Sequence, residues 1–196
     1  MNVGIDQLTP GVFGVSHGSG VAGLIIRDST GSWAGHAFSY LGNEQIVQGQ
    51  PPVAGLAVAS SHDDAIWAWR MWDQLVAEEG WTPDQVATAQ LRVVARGHAL
   101  VGVRYDFEAY AGFSMEVTHL RSEKQLEPFF KLDSDRVCSA LVADTLTFAG
   151  VPLKFVPEDG PGLFSSAGSS PQLAQMPPNL VAPGMLLGLA QRLEWI

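Results

Sequence analysis

The sequence predicts an α+β fold in which a small antiparallel sheet packs against several helices. Three observations predict it. Short segments of alternating character, divided by turn residues, occupy most of the first sixty positions. Longer segments with helical spacing of apolar residues follow, several opened by capping residues and closed by glycine. No repeat or composition shift divides the 196 residues, so residues 1–196 read as a single domain with its own core.

Taken in order, Pro10-Gly11 reads as a turn leading into the strand VFGVS. GVAGLIIRDSTGS reads as a short helix or apolar turn ended by Gly31. The clearest hairpin follows: GHAFSYL, a GNE turn, then QIVQG, stopped by Pro51 and Pro52. GLAVAS is a further strand. SSHDDAIWAWRMWDQLVAEEG is expected to be a helix, because Ser61 and Asp64 have capping-box spacing and Gly80 closes it. TPDQVATAQLRVVARG is a second, with Thr82 as cap and Pro83 in the first turn. The two form a Trp-rich helical segment over about 61–97.

RYDFEAYAGFSMEV is expected to be a third helix. SDRVCSALVADTLTFAG is a fourth, capped by Ser134 or Asp135 and closed by Gly150. Val137, Leu141, Val142, Thr145 and Phe148 form its apolar stripe. A Pro/Gly/Ser-rich stretch over about 157–179 reads as a long loop, a kind usually functional or disordered. VAPGMLLGLAQRLEWI ends the chain as a turn and a short apolar element.

Composition excludes some functions. The net charge is −9 and the eleven basic residues are scattered, which argues against nucleic acid and anionic membranes as partners. No apolar run approaches the roughly 20 residues that cross a bilayer. MNVGIDQLTP lacks the basic start and apolar stretch of a secretory signal, so the cytoplasm of the producing cell is the expected location. One cysteine makes neither an internal disulfide nor a zinc site of Cys pairs, and no cofactor or metal is implied.

That cysteine, Cys138, has two readings. Free cysteines are among the most buried residue types. A helix N-terminus, however, favours a thiolate, and its unpaired N–H groups suit the oxyanion of a tetrahedral intermediate. Arg136 adds positive charge nearby, although two residues apart on a helix do not share a face. A nucleophile needs a base, and of the five histidines His36 differs in lying within the clearest strand. The returning strand offers Gln48, then Gln50, whose carbonyls could orient it. A satisfied core histidine is the plainer reading of His36, and His62 in SSHDD reads as a solvated residue at a helix start. Trp67, Trp69 and Trp72 span more than one helical face. Core packing is the preferred reading, with an exposed aromatic surface for a virion or other protein partner as the alternative.

Four motifs in order carry a resemblance: TPGVFGVSHGSGVAGLIIRDSTGSWAGHAFSYLGNEQIVQGQP, RYDFEAYAGF, DRVCSALVADTLTFAGVPL and VAPGMLL. Together the chain resembles the circularly permuted NlpC-type papain-like cysteine peptidases, particularly those of actinobacteria and their phages. The Trp-rich segment and the long loop lie outside the likeness. The resemblance implies a permuted papain-like fold whose His strand precedes its Cys helix. It implies Cys138 as nucleophile, His36 as general base and Gln48 as third polar group, where a Glu is common in the family. Tyr105 and Ser139 would line the site, with the Cys138 N–H in the oxyanion hole. The opening Pro-Gly-Val replaces a frequent Pro-Gly-Asp.

The implied activity is a cysteine hydrolase that cuts an amide bond through an acyl-thioester. Peptidoglycan peptides are the implied substrate, and a phage particle or lysis system the context. Two alternatives are a thiol enzyme that transfers lipid acyl groups, and a non-catalytic structural or binding protein of a virion that keeps the fold.

Overall fold

A computed structural model describes residues 3–105, 138–156, 159 and 181–196. Over these residues the architecture is α+β. Five strands, β1 (Phe13–Ser16), β2 (His36–Gly42), β3 (Gln45–Gln50), β4 (Val53–Val58) and β5 (Ile66–Trp67), form one sheet in the order β4-β3-β2-β1-β5. All neighbours are antiparallel. Asn43 and Glu44, with φ of 50° and 60°, make the tight turn between β2 and β3, the conformation that follows strand twist in a two-residue hairpin. Gly42 precedes them at φ 95°, where the ladder shifts register after Tyr40.

The helices are α1 (Gly20–Thr30), α2 (Met71–Glu79), α3 (Pro83–Ala99), α4 (Cys138–Ala149) and α5 (Pro183–Arg192). α1 resolves the choice between helix and turn, and Gly31 closes it. At the start of α3, Thr82 Oγ1 accepts from the Gln85 N–H and Gln85 Oε1 accepts from the Thr82 N–H, a full capping box. α4 packs on β2 and β3 and against α3, where Arg96 grips Asp144 through two bonds of 2.7 and 3.1 Å.

Strand alternation gives β2 two faces. Ala37, Ser39 and Leu41 face α4: Ser39 Oγ lies 3.0 Å from Thr145 Oγ1, and Leu41 packs in one cluster with Leu141. His36, Phe38 and Tyr40 take the other side, where Phe38 and Tyr40 meet Trp67 edge-on with centroids 5.2 and 5.8 Å apart. Gly14 of β1 makes room for this. A Cβ there would press into the Phe38 ring and come within 2.9 Å of Trp67.

The structure corrects the helix expected from Ser61. Residues 59–61 form a 3-10 turn, Ile66–Trp67 is strand β5 paired with Val15 and Gly14, and α2 begins only at Met71. The capping-box pair is spent elsewhere. Ser61 Oγ donates to the Val58 carbonyl, and Asp64 Oδ2 accepts the His17 N–H at 2.8 Å. Long-range pairing has overridden local spacing here. Trp67 and Trp72 are buried and Trp69 is half-buried, as the preferred reading of core packing has it and against the alternative of an exposed Trp-rich surface. Trp72 Nε1 donates to the Pro10 carbonyl at 3.2 Å. Phe148 leaves the predicted stripe: it is 55% exposed beneath the Arg96 guanidinium, while Leu146 is buried in its stead.

Val137, Arg136 and the caps Ser134 and Asp135 lie outside the described residues, as do residues 106–117 of the third expected helix. Of the loop over 157–179, Asp159 alone is described. It is buried and takes two bonds from Arg192, at 2.9 and 3.0 Å.

Candidate active site

The sheet and α4 bring the predicted residues to one place. Cys138 is the first residue of α4, His36 the first of β2, and Gln48 lies on β3. All three line a cavity of about 700 Å³, together with Tyr105, which follows the short bridge of Arg104 to β4. Tyr105 is held there by its N–H, which donates to the Pro52 carbonyl at 2.9 Å.

His36 and Gln48 are joined directly. Gln48 stands opposite Phe38 in the ladder, so His36 is its diagonal neighbour, within reach of a long side chain. Gln48 Oε1 is 2.7 Å from His36 Nε2. A carbonyl oxygen only accepts, so Nε2 carries the proton and Nδ1 keeps the lone pair of a base. Burial holds His36 below its ordinary value of 6.5, against the opposing pull of Gln48 and Asp64. His36 is therefore neutral at pH 7.

Cys138 is also neutral at rest. Burial pushes its thiol up to about 11, although the backbone N–H groups of Ala37, Ser139 and Cys138 face the sulfur. This corrects the expectation that the helix N-terminus gives a ready thiolate: desolvation outweighs the donors. The Ala37 N–H follows His36 in the chain, so the thiol packs beside the histidine's own strand end. No hydrogen bond joins Cys138 to His36 among the described residues. Ser139 donates its hydroxyl to the Val181 carbonyl at 2.5 Å and does not line the cavity, and both its backbone N–H and its side chain act on the Cys138 sulfur.

Three further residues belong to the site. His62 also points its Nε2 at Gln48 Oε1, at 3.0 Å, and its ring lies on Phe38 with centroids 4.4 Å apart. Asp64 ties this loop to the loop after β1 through the His17 N–H. Ser16 stands directly across the ladder from His36, with its hydroxyl buried and unpartnered among the described residues. The assumed helix hid His62 and Asp64. The turn residues around His17 and the alternation of VFGVS were the available signals, because they place His17 and Ser16 at the strand end facing GHAFSYL. Arg27 of α1 steadies that loop, its guanidinium donating to the His17 and Gly18 carbonyls.

Among the described residues no group of three or more His, Cys, Asp or Glu is placed to hold a metal ion, and no helix is long and apolar enough to cross a membrane. No family model, curated protein or solved structure matches the chain.

Proposed function

We propose that the protein is a cysteine hydrolase that opens an amide bond through an acyl-thioester at Cys138. One observation carries this reading: Cys138, His36 and Gln48 line a single cavity, with the His36 tautomer fixed so that Nδ1 is the free base. The resemblance of the His36 strand and Cys138 helix to permuted NlpC-type peptidases adds the substrate class, peptides of peptidoglycan, and a phage- or lysis-associated setting.

Because both partners rest neutral, the reaction is general-base catalysis. His36 Nδ1 takes the thiol proton as sulfur attacks the carbonyl carbon, and the N–H groups of Cys138 and Ser139 bind the oxyanion. The C–N bond then breaks and His36 returns the proton to the leaving nitrogen. Water, deprotonated by His36, releases the acid and restores the thiol. Gln48 holds the imidazole without adding charge.

Incubation with soluble peptidoglycan stem peptides, followed by mass spectrometry, tests this. Cleavage products and a hydroxylamine-sensitive acyl adduct on Cys138, absent in Cys138→Ala, are expected. A second reading, a non-catalytic binding module, is favoured by the nearly complete burial of Cys138 and its lack of a bond to His36. Intact peptides and an unmodified Cys138 would favour it. A fatty-acyl adduct on Cys138, formed from an acyl lipid where the stem peptides stay intact, would favour lipid acyl transfer.

A further inference from the structure

We propose that His62 is a positioning residue for His36, acting through the Gln48 carbonyl that the two rings share. The role rests on the reading of His36 as the base, while the geometry stands by itself. Gln48 Oε1 has two lone pairs and no proton. His36 Nε2 and His62 Nε2 sit 2.7 and 3.0 Å from it, so each ring directs an N–H there and each keeps its lone pair on Nδ1. With both bonds made, the amide cannot rotate to offer its NH2 without losing two partners. His62 thus locks the group that locks His36.

Its own placement is over-determined. The ring is stacked on Phe38, its N–H donates to the Ala59 carbonyl at 3.1 Å, and its carbonyl accepts from Ala65 at 3.1 Å. The Ala59 N–H in turn holds the Glu44 carbonyl at 2.7 Å, which anchors the turn to the β2–β3 hairpin.

The sharing also couples the two protons. The ring centroids are 5.6 Å apart, and two imidazolium ions at that distance on one neutral acceptor repel. Burial first, and then the charge of His36, hold the proton affinity of His62 below its ordinary value, against the pull of Asp64 and Asp63 on the same loop. Asp64 acts likewise on His36. His17, Tyr105 and Cys138 are the other titratable groups that line this cleft among the described residues. The pair therefore titrates as a unit that takes its first proton more readily than its second. The repulsion lowers the proton affinity of His62, while the geometry gives His62 its role of orienting the base.

Long-range ¹H–¹⁵N NMR of the imidazoles across pH, in wild type, His62→Gln and His62→Ala, tests this without reference to activity. Wild type is expected to show both rings as Nε2–H tautomers. His62→Gln keeps a donor for Gln48, so the His36 tautomer persists. His62→Ala releases Gln48, and the His36 tautomer becomes mixed. A mixed His36 tautomer in His62→Gln, or an unchanged tautomer in His62→Ala, overturns the proposal. In parallel, Cys138 alkylation by iodoacetamide is expected to fall about tenfold in His62→Ala and to stay within about threefold in His62→Gln. If NMR behaves as expected while wild-type alkylation follows an ordinary thiol, the hydrolase reading fails and the coupling survives.

Discussion

His36 donates its Nε2–H to the Gln48 amide oxygen at 2.7 Å, diagonally across β2 and β3. The bond sets the imidazole tautomer, and among the described residues no carboxylate is hydrogen-bonded to the ring. A neutral orienter leaves the imidazolium less stabilised than an anion would, and burial lowers its proton affinity further. The predictions below follow from this uncharged arrangement.

Gln48→Glu restores a charge where both rings meet. A carboxylate at hydrogen-bond distance raises the proton affinity of His36 and His62. The His36 midpoint, below 6.5 in wild type, is expected to move above it. NMR titration reads this directly, and a midpoint that stays put contradicts the account.

Acid weakens the fold through the same rings. His36 and His62 hold protons less tightly when folded than at the ordinary 6.5 of the unfolded chain. The unfolded state thus binds more protons as pH falls through about 6.5, and stability falls with it. The urea midpoint is expected to drop between about pH 7 and 5 and to drop less in His36→Gln. Equal slopes in the two proteins would count against a buried neutral His36.

Alkali acts through Cys138. Its folded thiol titrates at about 11 against an ordinary 9.0, so the unfolded chain loses its proton first. Stability is expected to decline as pH rises from 9.0 towards 11, by at most about 3 kcal/mol, and Cys138→Ala removes this component. Denaturant titrations at pH 8 and 10.5 compare the two.

Gly14→Ala tests the aromatic floor beneath the histidines. The added methyl meets the Phe38 and Trp67 rings, and overpacking of this kind costs about 1–3 kcal/mol. Because Phe38 carries the His62 ring, the His62 resonances are expected to shift as well. A variant as stable as wild type, with unmoved resonances, contradicts the packing described.

Much of this was legible in the chain. Alternation in GHAFSYL and QIVQG, with the turn at Asn43-Glu44, marked the hairpin that carries His36 and Gln48. Thr82 and Pro83 marked α3. These signals act over a few residues. The segment from Ser61 to Arg70 was misread because its structure depends on partners far away: β5 pairs with β1, and Asp64 answers His17. No local pattern reports that His62 would meet Gln48, fourteen residues earlier. The choice between the two readings of the thiol stayed open for a related reason. Position at a helix start is visible in sequence, whereas the burial that outweighs it is set by the whole core.

The central claim is that His36 serves Cys138, and the rate of Cys138 alkylation by iodoacetamide against pH, in wild type and His36→Ala, tests it most directly. The account predicts that wild type is alkylated near neutral pH, with a rate that falls as His36 is protonated below pH 6.5, and that His36→Ala is at least about tenfold slower there. Identical profiles in the two proteins, both rising only as pH approaches 11, would contradict it and leave Cys138 a buried core residue.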